Sequence, residues 1–119
     1  MKAPKLTLFH NSQCSKSRAA LALLEQSGRE FEVVAYLDMP PTAALLDRLL
    51  TQLGMGPEQL VRRGEDLYEE LGLEKNPPAS RSEWIELLIN HPVLIERPIV
   101  TDGTRTVVGR PPENVKALL

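Results

Sequence analysis

"KLTLFHNSQCSKSRAALALLEQSGREFEVVAY", Lys5 to Tyr36, is the stretch that decides the fold. Its first six residues, Lys5 to His10, alternate in the manner of a short strand. From Ser15 the pattern changes period: Ala20, Leu21 and Leu24 recur on one helical face, and Gly28 stops the run. Phe31 to Tyr36 is then rich in β-branched and aromatic residues and lies close enough to return to the first strand. Strand, helix and strand so spaced predict a βαβ unit with a right-handed crossover.

Pro40 and Pro41 close that unit. Thr42 is a good N-cap for a helix carrying Leu45, Leu46, Leu49, Leu50 and Leu53, which Gly54 ends. Less regular helical pieces are expected in "GPEQLVRR" and "EDLYEELGL". Ser80 and Glu83 form a capping box ahead of a face made by Trp84, Leu87 and Leu88. Two apolar runs joined by Asp102-Gly103 read as a hairpin, and Val115, Leu118 and Leu119 suit a final helix in "PPENVKALL". The order is βαβ, a helical block over about 42–91, then ββα: an α/β chain with a small sheet covered by helices.

With 119 residues the chain fits one domain, 1–119, able to bury a core without disulfides or a structural metal. A formal net charge of -2 gives no reason to expect nucleic acid or an anionic membrane as the main partner, so any anion site must be local. The apolar segment near the N-terminus is too short for a secretory leader, and no run of apolar residues is long enough to span a bilayer. The expected location is the cytoplasm. One cysteine and two separated histidines offer no metal-ligand spacing.

Cys14 is the single cysteine, and Ser17 stands where the second sulfur of a Cys-x-x-Cys pair would be. Any redox chemistry at Cys14 therefore needs a thiol from another molecule. The predicted geometry places Cys14 at the start of the first helix, where unpaired N–H groups and the helix dipole favour a thiolate. Lys16 and Arg18 add positive charge, and Ser15 and Ser17 add hydroxyl donors. Location alone leaves two readings, an activated nucleophile or an idle, packed cysteine. His10 and Asn11 precede the loop, and either orient the sulfur or serve the turn itself.

Arginine's planar fork suits tetrahedral oxyanions. Arg97 precedes Pro98 at the start of a strand, Arg110 follows Gly109 at the hairpin exit, and Arg62 or Arg63 ends a helical piece. Each alone also reads as a solvated surface arginine. If the sheet sets the last two strands beside the first, Arg97 and Arg110 converge on the turn that holds Cys14. Whether Arg97-Pro98 is cis is left open by the sequence.

Taken together, "HNSQCSKSR", "LVRRGEDLYEELGL", "HPVLIERPIV" and "VGRPPENV" closely resemble the glutaredoxin-coupled arsenate reductase family, called ArsC, nearly end to end. The resemblance implies a thioredoxin-like fold with a helical insertion, and a cysteine thiolate that attacks arsenate. It places that nucleophile on Cys14 and three oxyanion-binding arginines on Arg62, Arg97 and Arg110, leaving Arg63 as a neighbour without the role. It makes His10 the histidine that supports the cysteine, and Ser17 a hydroxyl able to bond the thiolate. No bound cofactor is implied; glutathione enters as co-substrate and glutaredoxin supplies the electrons. The loop departs from the best-known members, which carry Cys-Gly-Thr-Ser-Arg, so Lys16 adds charge and bulk beside the substrate. Two alternatives keep the fold: a glutathione-dependent thiol/disulfide oxidoreductase acting on another substrate, and a Spx-like regulator that binds RNA polymerase.

Overall fold

A computed structural model describes residues 4–119; residues 1–3, where the expected domain and the stretch weighed as a leader begin, lie outside it. Backbone contacts divide the described residues into two units, one of residues 4–39 with 97–119 and one of residues 40–96.

The first unit holds a four-stranded mixed sheet. Strand β1 (Leu6–His10) leads into helix α1 (Ser15–Ser27) and strand β2 (Phe31–Ala35), and the chain returns late as β3 (Ile99–Thr101) and β4 (Thr106–Val108). The spatial order is β2-β1-β3-β4, with β1 parallel to β2 and antiparallel to β3. This is the βαβ and ββα arrangement expected of a thioredoxin-like chain. Strand β1 is central and buries Leu6, Leu8 and Phe9, whereas edge strand β2 exposes Glu32 and Val33. Leu6 and Leu8 pack with Ala20 and Leu24 of α1, Val100 of β3, and Val115 and Leu118 near the C-terminus. Each fully buried leucine in such a core is worth about 2 kcal/mol.

The expected last helix is a 3-10 helix over Pro112–Leu118. Pro111 and Pro112 contribute no amide donors, and i to i+3 bonds take over, such as Asn114 N–H to Pro111 O at 3.0 Å. Three residues per turn put Val115 and Leu118 on the same inward side. Leu119, which an α-helical pattern also turns inward, is 43% exposed. Two arginines tie this segment down: Arg29 Nη1 donates to Leu118 O at 2.8 Å and Arg105 Nη2 to Ala117 O at 3.0 Å.

The second unit is largely helical. Helix α2 (Ala43–Leu53) starts where Thr42 Oγ1 accepts the Leu45 N–H at 3.1 Å, and it ends at Gly54, whose φ of 68° is costly for any residue with a Cβ. Helix α3 (Asp66–Glu70) is short, and helix α4 (Arg81–Asn90) packs on α2. The Ser80 hydroxyl accepts the Glu83 N–H as a capping box requires, but Glu83 Oε2 accepts from the Ala79 amide, one residue outside the usual box. In α4 the buried face is Trp84, Ile85 and Leu88, with Leu87 only partly covered. The expected helical piece "GPEQLVRR" shrinks to a 3-10 turn at Pro57–Gln59. Beyond it, Val61 bridges Ile95 in extended form, so Arg62 N–H donates to Leu94 O and Glu96 N–H to Leu60 O, each at 2.7 Å. Among the described residues no helix is long and apolar enough to cross a membrane.

Candidate active site

The strand registers explain why distant segments meet at Cys14. Phe9 pairs with Ile99, and Ile99 with Val108. Carried on past the strand ends, those registers set Arg97 beside Asn11 on one side and opposite Arg110 on the other. The loop from β1 to α1 emerges at that corner of the sheet. Both Arg97-Pro98 and Arg110-Pro111 are cis.

Cys14 is the N-cap residue of α1, with extended φ and ψ, and it is half-buried. Its side chain closes no capping hydrogen bond of ordinary geometry. Burial pushes the thiol up. That push is outweighed by the Ser17 backbone N–H, by the Arg97 guanidinium as hydrogen-bond donor, by the Lys16 N–H and by the Arg97 charge, so the pKa falls below the ordinary thiol value. Arg110 approaches the same sulfur, with Nη1 at 4.0 Å from Sγ, and donates to Arg97 O at 3.1 Å. Two guanidinium groups and the open end of a helix thus surround one sulfur, the electrostatics that suit a thiolate and an incoming oxyanion.

A buried hydroxyl holds the loop in shape. Ser17 is fully buried, and its Oγ accepts the Asn11 N–H at 3.0 Å and lies 2.6 Å from His10 Nδ1. Asn11 Oδ1 accepts the Gln13 N–H at 2.9 Å and Asn11 O the Cys14 N–H at 3.0 Å, which turns the chain into α1. Arg18 Nη1 donates to Ser12 O at 2.8 Å. Burial, with the Arg18 charge beside it, lowers the His10 pKa, which favours the neutral ring, and neutral imidazole can accept a hydrogen bond from the Ser17 hydroxyl at Nδ1. The Ser17 hydroxyl is therefore engaged by His10 and Asn11, and it is the Ser17 amide that serves the sulfur. Replacing Ser17 with alanine leaves the Asn11 amide without its acceptor, and the expected loss in urea unfolding is about 1 to 3 kcal/mol. An unchanged unfolding midpoint would contradict this role.

The structure gathers Cys14, His10, Asn11, Ser17, Arg97 and Arg110 in the first unit. Arg62 belongs to the second, where Nη1 meets Glu96 Oε1 at 2.7 Å and Nε meets Glu65 Oε1 at 3.1 Å. Arg63 donates to Tyr68 Oη at 2.9 Å and lies over that ring. The sequence pointed to helix-start amides at the sulfur, which the structure assigns to Lys16 and Ser17, but the role of the glycine before Arg110 was passed over. The only trace of that role in the residue letters is the glycine itself.

A model of the ArsC family matches residues 9–118. The chain belongs to the ArsC family. It is similar to the arsenate reductase of Neisseria meningitidis, 45% identical over 98% of this chain and 99% of the relative. The uncharacterized YfgD of Escherichia coli is also 45% identical, over 93% of each chain. Among solved structures, the arsenate reductase from Vibrio cholerae superposes with a TM-score of 0.91 at 40% identity, covering 99% of this chain and all of that one. The fold is thioredoxin-like, and membership of the ArsC family carries thiol-dependent reductase chemistry with it.

Proposed function

We propose that the protein reduces arsenate to arsenite through a covalent adduct on Cys14, with glutathione and glutaredoxin as reductants. The observation that carries this reading is the Cys14 sulfur, acidified by helix amides and Arg97 and approached by Arg110. Similarity to arsenate reductases along nearly the whole chain names the oxyanion.

In this reaction the Cys14 thiolate attacks the arsenic of bound arsenate. A sulfur–arsenic bond forms, and one arsenate oxygen leaves, taking a proton to depart as water. Arg97 and Arg110 balance the charge of the oxyanion while their preorganised N–H groups face the position where negative charge gathers. The reduction from arsenic(V) to arsenic(III) needs two electrons, which come from two thiols as they become a disulfide. With one cysteine in the chain that disulfide cannot form within it. Glutathione attacks the arsenic of the adduct and displaces a second oxygen as water. A glutaredoxin thiolate then attacks the glutathione sulfur, forming a glutaredoxin–glutathione disulfide while the electron pair of the broken sulfur–arsenic bond stays on arsenic as arsenic(III). Water hydrolyses the remaining Cys14–arsenic bond, so arsenite departs and the thiol is restored. The oxyanion role of Arg62 is assigned by sequence resemblance. A reducing, cytoplasmic setting suits glutathione as donor.

The test is an omission assay that follows NADPH oxidation through glutathione reductase. Arsenate-dependent turnover is expected only when arsenate, glutathione and glutaredoxin are all present. Equal arsenate-dependent NADPH oxidation with thioredoxin and thioredoxin reductase in place of glutathione, glutaredoxin and glutathione reductase would overturn the reductant assignment, and turnover of glutathione mixed disulfides with none of arsenate would overturn the substrate.

A further inference from the structure

Gly109 sits between β4 and Arg110 and is buried. It is not among the glycines with positive φ, so conformational freedom does not explain it. Space does. A Cβ built on Gly109 would lie 2.8 Å from Pro98 Cγ and 3.3 Å from Val115 Cγ1. Pro98 and Val115 are both buried, and neither a ring nor a branched stub has a flexible end to swing aside. The Gly109 N–H also donates to Pro98 O at 2.8 Å, which holds the two backbones together. Arg97 immediately precedes Pro98 and Arg110 immediately follows Gly109, and their own link is the 3.1 Å bond from Arg110 Nη1 to Arg97 O.

We infer that Gly109 is a positioning residue, whose missing side chain lets the 97–98 and 109–110 backbones close until Arg97 and Arg110 both face the Cys14 sulfur. The purpose of that geometry rests on the function proposed above, but its effect on the sulfur is open to measurement without arsenate. A methyl group at 109 pushes on Pro98, displaces the backbone that carries Arg97, and weakens the bond between the two arginine segments.

The experiment compares wild type, Gly109→Ala and Leu118→Ala, reading the rate of Cys14 alkylation by iodoacetamide across pH together with the Tm. Leu118→Ala truncates the same core without touching the Pro98 contact, so it reports a purely structural loss. Gly109→Ala is expected to move the alkylation midpoint up by about one pH unit, about tenfold less thiolate below the midpoint. Leu118→Ala is expected to lower the Tm and keep the wild-type midpoint. A wild-type midpoint in Gly109→Ala overturns the inference, however far its Tm falls. If Gly109→Ala does not fold, the double variant with Val115→Ala opens room on one side and keeps the Pro98 contact; a midpoint equal to that of Val115→Ala alone overturns the inference equally. Arsenate turnover with an unmoved midpoint removes the role of Gly109 and leaves the proposed function standing. A moved midpoint in Gly109→Ala with no arsenate turnover by the wild type does the reverse.

Discussion

Cys14→Ser is expected to abolish arsenate-dependent turnover, a loss of roughly a thousandfold or more, because the serine hydroxyl is not ionised where the thiol is. The same variant should not lose stability. Cys14 occupies the N-cap of α1 without a side-chain capping bond of ordinary geometry, and serine is among the residues that cap best. Its hydroxyl can accept an amide that now faces sulfur, so unfolding free energy is expected to stay level or rise by up to about 1 kcal/mol. The pair of measurements separates chemistry from folding: activity gone and Tm held or raised. Residual turnover within tenfold of wild type would remove Cys14 as nucleophile, whatever the Tm.

Arg97→Ala is the second large effect, with an expected loss in kcat/KM for arsenate of about 10² to 10³-fold, the usual consequence of deleting one preorganised donor. The direction of the pH response follows from the forces on the sulfur. Burial raises the thiol pKa, and Arg97 opposes it both as donor and as cation. Without Arg97 the upward push gains, the alkylation midpoint moves to higher pH, and less thiolate is present near neutrality. Raising the pH should then restore the alkylation rate but not arsenate turnover, since the oxyanion still lacks its guanidinium. Arg110→Ala should move both readouts in the same direction. Arg63→Ala serves as the comparison, because that side chain is committed to Tyr68. An equal loss in Arg63→Ala would show that generic positive charge, and not placement, carries the effect.

How much of this was legible beforehand depended on which forces leave a periodic signature. The βαβ unit did, because one face of α1 and the central strand are buried in regular repeats from Leu6 to Leu24. So did α2, where Thr42 and Gly54 mark both ends in the letters themselves. The C-terminal segment was misread: adjacent prolines favour three residues per turn, which turns Val115 and Leu118 inward and leaves Leu119 outside. At the site, residue types pointed to Cys14 and the arginines, whereas the division of labour within the loop did not show. The Ser17 hydroxyl and the Ser17 amide serve different partners, His10 and Asn11 for one and Cys14 for the other, and only coordinates separate them. Gly109 belongs to the same class, since a steric gap is defined by the neighbours that border it and these come from positions 98 and 115.

The sulfur and Arg110 stand 96 positions apart along the chain. On the ribosome, Cys14 emerges early, while the guanidinium groups that sharpen it are still untranslated. Until β3 and β4 pair and bring residue 110 back to the first strand, the nascent polypeptide carries a thiol without its arginine partners. The arginine share of the sulfur's acidity is thus a property of the closed sheet, whereas the share from the Ser17 and Lys16 amides is built into α1 itself.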